Sequence, residues 1–508
     1  MSQEDIEQSL QEGGSRDTSK CPDNAIEVEG EVREFDSEDE DEFVRKYGAV
    51  NFQYIKRPRE AIWFTRPYGL NYFKDGVLYR TKGERTSAKT ELFLDLLYVG
   101  VIARLAGDAS EEASGAALLK YVMLFIPAWT VWSDIKDFTN YYYNGDLSQK
   151  LYILWIMSLL TLYVNNTQKV LDTPRGTALV VVPYILIRFS LAVSYFVYSF
   201  FVPEHRPQQR LFCCFILLTC CLWIPVIFIG TRAKIGLGWA VLFLENFFYV
   251  VAFHPWTKKL MKLSMSTALN IEHIVERFGV FVTIAIGEFL YKVVETSALK
   301  HGIDEKFGRA IFLIILAYCL FWIYNYGSNC QKATHALRYS GWTSITWIGT
   351  HLFTTGAIVL AADAGGELLS ADDAHLTKSV HLEDSSEKRP SLYALSLFYT
   401  GGICVSLVSM TVMGFCDHPE DAPCTYIVPR FLRIIWRVPV GVIVLCLSFA
   451  NISTTLLMGM STMVLVILVV YETIVSNPNL VRYSQSLSAK KKISTPESND
   501  IANQEENV

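Results

Sequence analysis

Apolar residues fall in twelve blocks, near 90–107, 114–133, 149–166, 177–201, 210–230, 235–254, 272–297, 307–327, 341–362, 391–415, 431–450 and 454–475, separated by short polar connectors. A helix needs about 20 such residues to cross a hydrocarbon core of about 30 Å, and it satisfies its own backbone there. The pattern predicts an all-α fold, a polytopic transmembrane helical bundle over 90–475 with about 12 spans. An even number of spans brings both termini to one face of the membrane.

Polar stretches frame this block. Residues 1–47 carry the acidic run EVREFDSEDEDEF and few large apolar groups, so they read as a disordered tail, with Ser37, followed by Glu38, Asp39 and Glu40, as a candidate for an acid-directed kinase. The sign reverses over 48–89, a basic and aromatic juxtamembrane segment with Lys56, Arg57, Arg59, Arg66, Lys74, Arg80, Lys82, Arg85 and Lys89. A polar C-terminal tail follows at 476–508, with Lys490, Lys491 and Lys492. Basic residues collect on cytoplasmic connectors, and Lys258, Lys259, Lys262, Lys332, Arg338, Arg430 and Arg433 share the side of the two termini, so both are expected in the cytoplasm. The acidic connectors, GDASEE at 107–112 and a long outer loop at 363–390, take the other side. Arg232 and Lys234 break this rule. No segment chooses between an organelle and the plasma membrane.

Composition adds little: 51% hydrophobic and 13% aromatic residues fit a membrane protein. The cysteines Cys213, Cys214, Cys220 and Cys221 fall within one span, where they read as small packing residues, and Cys416 and Cys424 flank a cytoplasmic connector, where a disulfide is not expected. The sequon Asn165-Asn166-Thr167 sits at a membrane edge, a poor place for a glycan. No nucleophile elbow, P-loop, HExxH or Cys/His metal spacing is present, so an enzyme is the weakest class. The expected partners are the bilayer and a small ion or solute, with no nucleic acid, metal or cofactor.

The candidate chemistry lies in ionisable residues within the spans, which are costly and therefore pair or line a route. Glu91 and Asp95 are spaced i, i+4 on the first span; His273, Glu276, Arg277, Glu288 and Lys292 follow one another on the seventh; Arg188 and Glu245 are central in the fourth and sixth. Lys292 can neutralise Glu288 or Glu295 on its own helix. Two readings stay open. Either the arginines pair permanently with Asp95, Glu245 or Glu288 and fix which helices touch, or an acid, best Glu288, exchanges a proton or cation. His273 and His351 are candidate relays, though a helical histidine is more often an ordinary hydrogen-bonding residue. The motifs opening spans one and seven, 185 residues apart at Glu91 and Glu276, suggest two six-helix halves in parallel orientation.

Several of these motifs resemble the low temperature requirement A membrane proteins, a family known mostly from bacteria. Glu91, Leu92, Phe93, Asp95 and Leu96 fit its E-L-F-x-D-L block, and His273, Glu276, Arg277, Phe278, Gly279, Ile284, Gly287 and Glu288 fit H-x-x-E-R-F-G-x-x-x-I-x-x-G-E. Trp129, Trp132, Asp134, Asp137 and Phe138 are similar to its Trp-rich second block, Arg188 to a later arginine and His351-Leu352 to a late histidine-leucine pair. The chain departs at SDIKDFTNYYYNGD, where the family typically carries an N-x-F-D-T-D-like run. The resemblance implies a multi-pass membrane protein and brings no settled activity. A proton- or cation-coupled transporter is the leading expectation, a lipid- or stress-sensing scaffold the alternative, and an ion channel the third.

Overall fold

The computed structural model describes residues 52–55, 62–81, 86–296, 302–326, 335–372, 391–417 and 428–476. The acidic tail with Ser37, the basic residues Lys56, Arg57, Arg59, Lys82, Arg85 and Lys332, Cys424, most of the 363–390 connector and the C-terminal tail lie outside the described residues.

The apolar blocks are helices. In chain order they are α1 (Lys89–Glu112), α2 (Gly115–Tyr142), α3 (Leu147–Val164), α4 (Pro174–Phe201), α5 (Arg206–Trp223) and α6 (Thr231–Phe253). The short α7 (Pro255–Leu260) leads to α8 (Ile271–Glu295) and α9 (Glu305–Tyr326); after α10 (Ala336–Tyr339) come α11 (Gly341–Ser370) and α12 (Leu392–Cys416). The chain ends its described part with α13 (Arg430–Ile434), α14 (Arg437–Leu447) and α15 (Thr454–Val475). Nine helices among the described residues are long and apolar enough to cross a membrane: α2 to α6, α9, α11, α12 and α15. α1 and α8 have the length, 24 and 25 residues, but carry more ionisable groups than an ordinary span. The block expected at 431–450 is divided between α13 and α14.

Two polar ends belong to helices rather than connectors. α2 continues past Ser133 to Tyr142, with Asp134, Lys136, Asp137 and Asn140 all buried. α11 continues to Ser370, so Asp363, expected in the outer loop, is a buried helical residue. Each stretch looks like an exit from the membrane because it is polar, yet its polar side chains find partners inside the bundle.

The bundle itself is all-α, and one small sheet packs at its end. Within the basic segment, β1 (Phe52–Ile55), β2 (Asn71–Lys74) and β3 (Val77–Thr81) join β4 (Met265–Thr267) in a sheet of order β1-β3-β2-β4. β2 and β3 form a hairpin whose two turn residues, Asp75 and Gly76, both have positive φ, 50° and 84°. That is the backbone of a two-residue turn that Asp-Gly favours. The sheet is fastened to one end of the bundle: Leu70 N–H donates to the Tyr141 carbonyl at 3.0 Å, and Thr65 N–H to Asp146 Oδ2 at 2.8 Å. Asp146 also caps α3 through Gln149 N–H at 2.9 Å. His205 sits fully buried beneath the sheet, 2.5 Å from the Tyr142 hydroxyl and 3.2 Å from the Asn71 carbonyl, and burial lowers its pKa to about 3. It is a neutral structural histidine. We call this the sheet end of the bundle, and the opposite end the far end.

Candidate functional site

α1 and α8 lie side by side and run in the same direction, because their contacts advance together: Glu91 with His273, Asp95 with Arg277, and Tyr98 with Phe281. The rungs differ in strength. Arg277 Nη1 donates to Asp95 Oδ2 at 2.7 Å with both side chains fully buried, and Trp132 Nε1 of α2 donates to Asp95 Oδ1 at 2.8 Å. Around His273, Nε2 lies 3.2 Å from both Glu91 carboxylate oxygens and Nδ1 lies 3.0 Å from Asn140 Nδ2. The Glu91 carboxylate also accepts Ala88 N–H at 2.8 Å, holding the first turn of α1. Glu276, half-buried on the next face, accepts Ser87 N–H at 3.2 Å.

Sequence reasoning passed over Lys136, which completes this layer. It is wholly buried, its Nζ 3.0 Å from Asp137 Oδ1 and 4.5 Å from the centre of the Phe278 ring. Asp137 in turn accepts the Tyr249 hydroxyl of α6 at 2.8 Å. The available signal was spacing: Trp132, Lys136 and Asn140 are i, i+4, i+8 on one face of α2.

A second group joins α2, α4, α5 and α6. Arg188 pairs with Asp134 and has its Nε 3.9 Å from Glu245 Oε1. Glu245 accepts the Tyr184 hydroxyl at 2.7 Å and Trp223 Nε1 at 3.1 Å. Every expensive charge here has a partner of opposite sign or a hydrogen bond.

The third group sits near the far end. Lys292 bridges Asp363 of α11 at 2.8 Å and Glu295 at 2.9 Å. Its buried partner is therefore Asp363, on another helix, rather than Glu288 one turn back. Glu288 is 4% exposed, and its Oε1 has no hydrogen-bond partner among the described residues.

Asp95, Arg188, Glu245, Arg277 and Glu288 thus all point inward, and their contacts divide them into three groups rather than one. Between the first and third groups, α8 presents Phe278, Phe281, Val282 and Ala285, all buried. Phe281 stacks on Trp132 at 4.3 Å between ring centres, and Trp129 lies within 6.0 Å of Phe278 and 5.9 Å of Phe281. His351, the other candidate relay, is an ordinary satisfied histidine: Nδ1 lies 2.8 Å from the Trp347 carbonyl and Nε2 3.1 Å from the Tyr324 hydroxyl. The described residues contain no cluster of His, Cys, Asp and Glu able to hold a metal ion. Cys213 and Cys220 are buried free thiols, while Cys214 and Cys221 are exposed. In the sequon, Thr167 is buried and donates to the Val164 carbonyl at 2.8 Å.

Comparison with known proteins gives one match. The model of the family described as bacterial low temperature requirement A protein (LtrA) matches residues 86–471. No curated protein and no solved structure matches the chain.

Proposed function

Since the chain belongs to the low temperature requirement A family and folds as a helical membrane protein, we propose that it is a proton- or cation-coupled carrier working around α1 and α8. One observation carries this reading. α8 bears buried charge near both ends, Arg277 and Glu288 being about 16 Å apart along the helix at 1.5 Å per residue, with an aromatic plug between them. A carrier needs a site reachable from either side and a barrier that never opens on both. Asp95 and Arg277 are the sheet-side station, Glu288 with Lys292 and Asp363 the far-side station, and the Trp132–Phe281 stack the barrier. Glu288 is the exchanging acid, because one of its oxygens has no hydrogen-bond partner among the described residues.

The topology in this proposal has twelve spans: the nine apolar helices, α1, α8 and the divided α13–α14 segment. The parallel course of α1 and α8 supports an even number of crossings from one to the other, as two six-helix halves in parallel orientation require. Both termini and the sheet then face the cytoplasm. The scaffold reading keeps one specific support, the Arg188 group, in which one guanidinium and two neutral donors hold Asp134 and Glu245 between four helices.

The test is flux in liposomes. The purified protein is expected to carry protons or a cation down an imposed gradient, and Glu288→Gln to lower that flux at least about tenfold while remaining monodisperse and helical. Silence from both proteins across a range of ions, pH gradients and voltages would remove the carrier from consideration.

A further inference from the structure

The loop that leads into the sheet carries three large apolar side chains on its outside, Ile62 and Trp63, 82% and 76% exposed, and Phe64, also exposed. The loop is held there because its backbone caps the start of α3. Leu147 N–H donates to the Ile62 carbonyl at 3.0 Å and Ser148 N–H to the Trp63 carbonyl at 3.3 Å, which satisfies two of the donors that a helix N-terminus leaves without partners. Thr65 N–H, on Asp146 Oδ2, closes the same turn. The three side chains are therefore fixed at the level where α3, one of the helices fit to cross a membrane, begins. One turn further along that helix, about 6 Å on, its outer face shows Leu151, Leu154 and Trp155, all exposed.

A second patch stands at the same end. α7 starts two residues after α6 finishes, His254 between them being extended, and it exposes Trp256 and Leu260, spaced i, i+4 on one face. Its other side is fastened to the sheet, since Thr257 is buried and Lys258 Nζ donates to the Thr267 carbonyl of β4 at 3.1 Å. Trp342, exposed at the start of α11, packs on the His254 ring at 4.7 Å between centres. Lys259 and Lys262 are exposed beside this patch, and Arg66 and Lys150 beside the first. Of the acids at this end, Asp75 sits at the hairpin tip and Glu204 is half-buried.

We infer that the sheet end lies on the bilayer, with Ile62–Phe64 and α7 set into the headgroup boundary as two anchors and their basic neighbours drawing acidic lipids to it. Indole and phenyl rings next to lysine and arginine suit that layer, where an apolar ring and a cation each find a matching environment within a few ångströms. The Ile62–Phe64 patch continues the exposed face of α3, so a protein occupant would have to cover the loop and reach into the hydrocarbon beside that helix, whereas lipid covers both at once. This inference is independent of transport.

The test is tryptophan quenching in liposomes reconstituted with the full chain. The emission of Trp63 is isolated as the difference between the wild type and Trp63→Phe, and that of Trp256 as the difference from Trp256→Phe; both variants keep an aromatic ring at an exposed position. Phosphatidylcholine brominated just below its headgroup is expected to quench both signals at least about twofold more than phosphatidylcholine brominated near the chain ends. In equal mixtures of phosphatidylglycerol and phosphatidylcholine, bromine on the glycerol lipid is expected to quench at least about twofold more than bromine on the choline lipid. Lys259→Gln/Lys262→Gln should remove that excess at Trp256 and leave it at Trp63, where Arg66 and Lys150 remain. Two difference signals untouched by shallow bromine overturn the inference, as does equal quenching by the two headgroups. Quenching that falls as the ratio of protein to lipid rises would give the surface to a second copy of the chain and overturn it too.

Discussion

Breaking the Asp95–Arg277 rung separates a structural clasp from a working station. Asp95→Leu leaves the guanidinium fully buried against the Trp132 ring, with Nε and Nη2 already lacking partners among the described residues. A guanidinium cannot shed its charge, so the cost is about 3–5 kcal/mol. Arg277→Met is milder, about 2–3 kcal/mol, since Asp95 keeps the Trp132 N–H and a lone carboxyl can neutralise itself with a proton. Asp95→Leu/Arg277→Met removes both charges and leaves only the Trp132 N–H unsatisfied, about 1–3 kcal/mol. The singles sum to about 5–8 kcal/mol, so the coupling is at least about 2 kcal/mol. Equilibrium unfolding in mixed micelles measures all three variants against the wild type. A double variant as unstable as the sum of its parts would show that the two charges do not depend on each other and refute the reasoning. A recovered double variant then decides function: a clasp predicts unchanged flux, a station predicts none.

Three further outcomes follow from contacts away from that rung. Burial raises the Asp417 carboxyl to about 7, against the pull of Ala336 N–H and Arg430; the fold prefers its protonated form, so its contribution to stability is full below the free value of about 4 and declines as pH rises towards 7. Thermal unfolding in detergent should therefore lose a few degrees across that window in the wild type and stay flatter in Asp417→Asn; matching slopes would exclude the residue as the cause. Gly402→Val should cost about 1–3 kcal/mol, because a Cβ there meets the Ala357 carbonyl oxygen at 2.6 Å and Ala361 Cβ at 2.8 Å, whereas Gly100→Ala, with open space around it, should be harmless in the same unfolding assay. Asp146→Ala removes the Thr65 and Gln149 N–H contacts together, and limited proteolysis should cut residues 62–81 several times faster than in the wild type; an unchanged rate would mean the sheet is held elsewhere.

The helices were legible because about 20 apolar residues in a row have few other fates, and the expected starts and ends fall within a few residues of α3, α4, α12 and α15. The errors share one cause. Polarity was read as exposure, which ended α2 before Asp134 and α11 before Asp363, although both continue with those side chains paired inside. The sheet was missed for a related reason. Basic residues dominated the reading of 48–89, while Asp75-Gly76 between Asn71–Lys74 and Val77–Thr81 is a strong local hairpin signal that was present throughout. Lys234 is the same error: it was counted as a connector charge, and nothing in TRAKIGLG shows that its side chain turns inward to Thr177.

Pairing is where sequence stops being decisive, and α1 with α8 shows why. Glu91 and Asp95 are four residues apart, and so are His273 and Arg277, which gives two matching rungs on each helix. A parallel pair joins Glu91 to His273 and Asp95 to Arg277; an antiparallel pair would join Glu91 to Arg277 and Asp95 to His273. Both set an acid opposite a base, so charge matching cannot choose between them. The choice is made by a neutral neighbour. Trp132 donates to Asp95 while its ring packs on Phe281, and Phe281 meets Tyr98, so the aromatic residues advance along both helices in the same sense as the charges. Reversing α8 would carry Phe281 away from Trp132 and Tyr98 and leave the plug unpacked. The direction of the charged ladder therefore rests on apolar packing beside it, and the two stations of the proposed carrier inherit their order from that packing.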